Sequence, residues 1–123
     1  MINYLIVSLG AAIGGALRYW LSGFVHKFLP ASFPYGTLSV NVLGSFLLGL
    51  IIFFLDSRQM LSHQMKIFLT IGFCGGFTTF STFSFETVNL LRHSEFFFAL
   101  LNILLNVILC LTAVYIASLL SQK

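Results

Sequence analysis

The chain has 123 residues, of which 59% are hydrophobic and only 7% charged, and its net charge is +3. Soluble domains carry about 25% charged residues, so this chain cannot cover a water-facing surface and reads as an integral membrane protein. Its six Lys and Arg residues are scattered, which excludes the clustered basic face of a nucleic-acid binder.

Four apolar segments stand between the short connectors LPASFP, DSRQMLSHQM and RHSE. Each reaches the roughly 20 residues that cross a hydrocarbon core as a helix. Four segments cannot close a barrel, so helices are the expected spanning form. The first runs from about Asn3 to Phe28. It lacks a basic leader and Arg18 follows its apolar run, so it is expected to be a retained span and not a signal peptide. Gly10 and Gly14 form a GxxxG pair that lets another helix approach closely. For Arg18, one turn further, two readings stand. It snorkels or pairs structurally at the interface, or its positive field gathers anions at a vestibule.

The second segment runs from about Tyr35 to Leu55. Thr37, Asn41, Ser45 and Gly49 recur at four-residue spacing and share one helix face. That face either packs against a helix with Asn41 bonded across it, or presents the Asn41 amide donors to a pore.

The third segment, from about Lys66 to Leu91, contains GFCGGFTTFSTFSFE at Gly72–Glu86, with three glycines, five hydroxyls and five phenylalanines. The glycines weaken a helix and the hydroxyls compete for its backbone groups, so a break is expected near Gly75 to Thr79. Freed carbonyls suit Na⁺, and freed N–H groups suit an anion. Beyond the break Thr79, Thr82 and Glu86 share a face. Phe77, Phe80 and Phe83 follow at three-residue steps and carry positive ring edges. Most of the fifteen phenylalanines must be bulk, and the hydroxyl run alone would make a kinked packing helix. The combination with a neighbouring Asn favours an ion pathway.

The fourth segment, from about Phe96 to Leu120, places Asn102, Asn106 and Cys110 on one face. A hydrogen-bonded seam between helices is the simplest reading of the two asparagines. Cys74 and Cys110 are read as small packing residues, with no disulfide framework. His26, His63 and His93 sit at or near connectors. No paired carboxylates, metal-ligand cluster or nucleophile–base pair stands out, so no enzyme is expected.

With four spans, one side of the membrane holds Arg58, Lys66 and Lys123; the other holds Lys27 and Arg92, with Arg18 toward that end. This near-zero bias is either a weak orientation signal or the mark of dual topology. No internal repeat is present, so any inverted symmetry would come from a homodimer.

GGALRY at Gly14–Tyr19, GTLSVNVLGSFLLG at Gly36–Gly49 and the Gly72–Glu86 stretch together resemble the Fluc fluoride channels, also called CrcB. The likeness covers almost the whole chain. It implies an all-α, four-helix membrane protein with a broken third helix, assembled as an antiparallel dual-topology homodimer with two fluoride pores. It also implies a structural Na⁺ at the dimer centre, held by backbone carbonyls of Gly75 and Thr78. Phe80 and Phe83 match the family's pore phenylalanines, and Asn41 matches its second-helix asparagine. The polar track matches Thr37, Ser81, Thr82 and Glu86, completed by fourth-helix positions such as Asn106. Relatives often place hydroxyl residues near the positions of Asn102, Asn106 and Cys110. Arg18 matches the family's first-helix arginine, at a vestibule.

The expected function is therefore passive export of cytoplasmic fluoride across a bacterial inner membrane. The rivals are a dual-topology proton-coupled exporter that uses Glu86, and a structural subunit of a larger membrane complex.

Overall fold

The computed structural model describes residues 1–122. Its helices in chain order are α1 (Ile2–Val25), α2 (Tyr35–Leu50), α3 (His63–Ile67), α4 (Gly75–Phe77), α5 (Phe80–Arg92) and α6 (Phe96–Leu120). α2 continues into a π-helical segment, Ile51–Asp56, and a second one, Phe68–Cys74, joins α3 to α4. Among the described residues there is no strand. Four helical stretches are long and apolar enough to cross a membrane: Ile2–Val25, Tyr35–Asp56, His63–Arg92 and Phe96–Leu120. The protein is thus an all-α multi-pass membrane protein.

Within the third span, Thr78 (φ −93°, ψ 161°) and Thr79 (φ −152°, ψ 123°) are extended. Threonine suits both places. The Thr78 N–H and hydroxyl both donate to the Cys74 carbonyl, at 3.0 and 2.8 Å. The Thr79 hydroxyl accepts from the Thr82 N–H at 3.1 Å and so caps α5, as a hydroxyl at the N-cap position does.

Lipid supplies no hydrophobic drive between helices, so close backbone approach and buried hydrogen bonds hold such a bundle together. α1 lies on the third span through glycine. A Cβ on Gly10 would stand 2.5 Å from the Phe68 carbonyl oxygen; one on Gly72, 2.8 Å from that of Val7; one on Gly76, 2.6 Å from that of Ala11. The GxxxG pair therefore faces the third span, and Gly10 and Gly14 are the buried residues of α1. α2 lies on α6 in the same way, with Gly49 against Ala117. Val40 of α2 and Ala99, Ala113 and Ala117 of α6 are buried.

The connectors contribute as well. The first amides of α2 have no helical acceptor, and His26 supplies one: the Gly36 N–H donates to its Nε2 at 3.1 Å. Accepting that bond takes the Nε2 lone pair and leaves the ring proton on Nδ1. At the other end of the bundle Lys66 pairs with Asp56 at 3.0 Å, and Arg58 stacks 3.8 Å over the Phe54 ring.

The glycine contacts predict that Gly10→Ala destabilises the protein by about 1–3 kcal/mol through overpacking. Gly15→Ala, which points into open space, should be neutral or slightly stabilising. Thermal unfolding in detergent distinguishes them; equal behaviour of the two variants would contradict the packing described.

Candidate functional site

Thr79 is where the polar residues of the bundle converge. Its N–H donates to Asn41 Oδ1 at 2.8 Å, and its carbonyl accepts from Asn41 Nδ2 at 3.1 Å. One side chain of α2 thus satisfies both backbone groups of an extended residue inside a membrane span. The second amide hydrogen of Asn41 goes to Asn106 Oδ1 on α6, at 3.0 Å. Asn41 and Asn106 are both buried.

This pairing changes the hydrogen bonding of the carbonyls just before it. In an unbroken helix the Gly75 carbonyl would accept from the Thr79 N–H and the Thr78 carbonyl from the Thr82 N–H. The first donor is taken by Asn41 and the second by the Thr79 hydroxyl. The Gly76 carbonyl has a substitute donor, Arg18 Nε at 3.0 Å. Gly75 is exposed, and a Cβ there would meet nothing nearer than the Thr70 carbonyl oxygen at 3.9 Å.

Two cavities flank Thr79, which lines both. The larger, about 450 Å³, is bordered by Asn41, Ser45, Gly75, Thr78, Phe80, Phe83 and Asn106. The Phe80 and Phe83 rings are tilted at 52° with centroids 5.4 Å apart. The smaller, about 260 Å³, is bordered by Arg18, Ser22, Thr37, Thr82 and Glu86. It holds one cation and one carboxylate. Thr37 borders this cavity with Glu86, and Glu86 Oε1 is buried without a hydrogen-bond partner.

The residues expected from the sequence therefore fall into two groups that meet at Thr79. Asn41, Phe80, Phe83, Asn106, Gly75 and Thr78 border one cavity; Thr37, Thr82, Glu86 and Arg18 border the other. Ser81 borders neither. It is exposed on the side of the bundle, with its Oγ 3.4 Å from that of Thr79. Of the two readings open for Arg18, the structural pairing is made, to the Gly76 carbonyl, while the residue also lines the smaller cavity. Of the two for Asn41, the bonded one is made on both amide hydrogens.

Two participants carried little sequence signal. Thr87 is buried and accepts from Asn102 Nδ2 at 3.0 Å; its one clue was its place a turn beyond Phe83 on the Thr79 face. His26 had no clue beyond lying upstream of α2.

Residues 5–118 match the family described as CrcB-like protein, Camphor Resistance (CrcB). Among curated proteins, a fluoride-specific ion channel FluC of Geobacter metallireducens is 46% identical over 116 residues, 94% of each chain. One of Magnetococcus marinus is 48% identical over 110 residues, 89% of each chain. One of Ruminiclostridium cellulolyticum is 44% identical over 122 residues, 99% of this chain and 94% of that one. These names describe ion channels and not enzymes.

Asn41→Leu keeps the side-chain bulk but strands the Thr79 N–H and C=O and the Asn106 oxygen. Each unsatisfied buried group costs about 1–3 kcal/mol, so this variant should lose most of the thermal stability of the purified protein. Ser45→Ala, on the same face, should lose little. A Leu variant as stable as the parent would contradict the clamp.

Proposed function

The chain belongs to the CrcB-like protein family, and from that membership we propose that it is a passive fluoride-selective channel. It lets fluoride leave the cytoplasm across a bacterial inner membrane. The observation that carries the reading is the pair of cavities meeting at Thr79, one bordered by the Phe80 and Phe83 rings and an amide, the other by hydroxyls and a guanidinium.

Fluoride is small and strongly hydrated, so it crosses only by exchanging water for a succession of weak donors. Arg18 draws the anion toward the smaller cavity by its field. Thr37 and Thr82 offer hydroxyls there. Phe80 and Phe83 offer positive ring edges on the far side of Thr79. Asn41 stands between them, and its two amide hydrogens are bonded to the Thr79 carbonyl and Asn106. An anion must therefore compete for an Asn41 hydrogen, which keeps that site weak and lets the ion leave. Ser81 and Phe80 are exposed on the single chain, Phe80 at 78%. They would complete a pore only against another chain.

That chain is a second copy, antiparallel to the first, which gives two pores per dimer. The near-zero charge bias permits both insertions. The carbonyls of Gly75 and Thr78 support the same conclusion, because lipid cannot satisfy groups that have lost their helical donors. They fit a small hard cation: two oxygen ligands, unpaired within the helix, one of them on an open glycine. Gly75 and Thr78 of each copy would hold a structural Na⁺ at the dimer centre, where it would supply fixed positive charge to offset the carbonyl dipoles. Glu86, with an unpartnered buried oxygen, favours one second reading, a proton-coupled exporter that uses this carboxylate.

Fluoride efflux from liposomes of purified protein, followed with a fluoride electrode, separates the two. With valinomycin carrying K⁺, a channel gives fast fluoride loss that needs no proton gradient. Phe80→Ile and Phe83→Ile should each lower it about tenfold or more by removing ring edges. Efflux that requires a proton gradient and disappears in Glu86→Gln would overturn the channel in favour of the exporter.

A further inference from the structure

Five hydrogen bonds run head to tail from the extended segment to the first turn of α5. The Thr79 N–H donates to Asn41 Oδ1 at 2.8 Å. Asn41 Nδ2 donates to Asn106 Oδ1 at 3.0 Å. Asn106 Nδ2 donates to Asn102 Oδ1 at 3.0 Å. Asn102 Nδ2 donates to Thr87 Oγ1 at 3.0 Å, and the Thr87 hydroxyl donates to the Phe83 carbonyl at 2.8 Å. Every side chain in the series is buried, Asn102 completely at 0% exposure.

The sense of each amide is set by the backbone at its start. Asn41 must turn its oxygen to the Thr79 N–H and its nitrogen to the Thr79 carbonyl. Its remaining hydrogen then demands an acceptor from Asn106. Asn106 must turn its nitrogen to α6, where the Asn102 backbone carbonyl also accepts from it at 2.9 Å. Asn102 is left with its nitrogen toward Thr87. Turning any one amide over would set donor against donor in a buried place, at the cost of unmade bonds. Bonds aligned in one direction also polarise one another.

We propose that Asn102 and Thr87 are positioning residues for the ion path, acting through Asn106 on Asn41. Neither borders the two cavities at Thr79. Their task is to hold Asn106 with its oxygen toward Asn41, so that the Asn41 hydrogen not used on Thr79 keeps a fixed acceptor beside the path. The series also ties the Phe83 turn to Thr79, which fixes the backbone carrying Phe80 and Phe83. Asn106 bonds Asn102 through its nitrogen and Asn41 through its oxygen, and so links the two. This inference rests on the channel reading.

The test compares Thr87→Ser, which keeps the hydroxyl, with Thr87→Val, which keeps the shape. Wild-type fluoride efflux from liposomes comes first, and its absence would speak against the channel and not against the relay. Given wild-type efflux, Thr87→Ser should retain it within about twofold, whereas Thr87→Val should lose about tenfold in maximal rate, since one link lost weakens the rest. Asn102→Leu, which also removes the Oδ1 acceptor of Asn106 Nδ2 and so cuts the series nearer Asn41, should lose at least as much. Full flux in Thr87→Val or in Asn102→Leu would overturn the relay. A readout on the wild-type protein covers failure of Thr87→Val to fold. In membranes moved into D₂O, solid-state NMR of labelled asparagine should show the side-chain amides of Asn41, Asn102 and Asn106 retaining protons long after exposed Asn3. Exchange at the Asn3 rate would overturn the relay independently of any flux.

Discussion

Inside a bilayer a backbone N–H or C=O that leaves its helix has no water to turn to. Thr78 and Thr79 leave theirs, and the two hydrogen bonds between Asn41 and Thr79 are what make that departure tolerable. Much of the rest of the structure follows from this one pairing. It requires a second helix, α2, at a fixed distance from the third span. It takes the Thr79 N–H from Gly75, and the Thr79 hydroxyl cap takes the Thr82 N–H from Thr78. Two carbonyls are thereby released close to a cavity.

The small residues exist to let these polar groups meet. Gly10, Gly72 and Gly76 bring α1 and the third span to backbone contact, and that places Arg18 against the Gly76 carbonyl. Gly49 does the same for α2 and α6, which brings Asn106 to Asn41. Gly36 sits tight against Ser22 and His26, so the His26 ring can reach the start of α2. Helix packing and polar satisfaction are one design here, because neither would hold the bundle in lipid alone.

The spans and their approximate ends were legible because four apolar stretches between connectors leave little choice in a chain so poor in charge. The first span stops at Val25, short of the expected Phe28, because the chain turns at His26–Phe28 ahead of Pro30. Most of the residues that border the two cavities were legible too, from the four-residue spacing on α2 and the glycine and hydroxyl content of the third span, whereas Ser81 borders neither. Their partners were not. Periodicity shows that Asn41, Asn102 and Asn106 sit on helix faces but not which groups those faces meet. The commitment of both Asn41 hydrogens, and the part played by Thr87, depend on how helices distant in sequence are turned toward each other. The same limit applies to Arg18, whose spacing suited either an interface contact or a vestibule, and to His26, whose acceptor role depends on where α2 begins.

The pairing at Thr79 can be tested most directly by hydrogen–deuterium exchange at that one amide in the membrane-embedded wild-type protein. Thr79 precedes α5, beside two cavities, and an unpaired amide there would exchange quickly. Held by Asn41, it should exchange as slowly as the amides within α5, and Asn41→Ala should remove that protection while sparing the middle of α6. Rapid exchange at Thr79 in the wild-type protein would contradict the clamp and the arrangement of the site built on it.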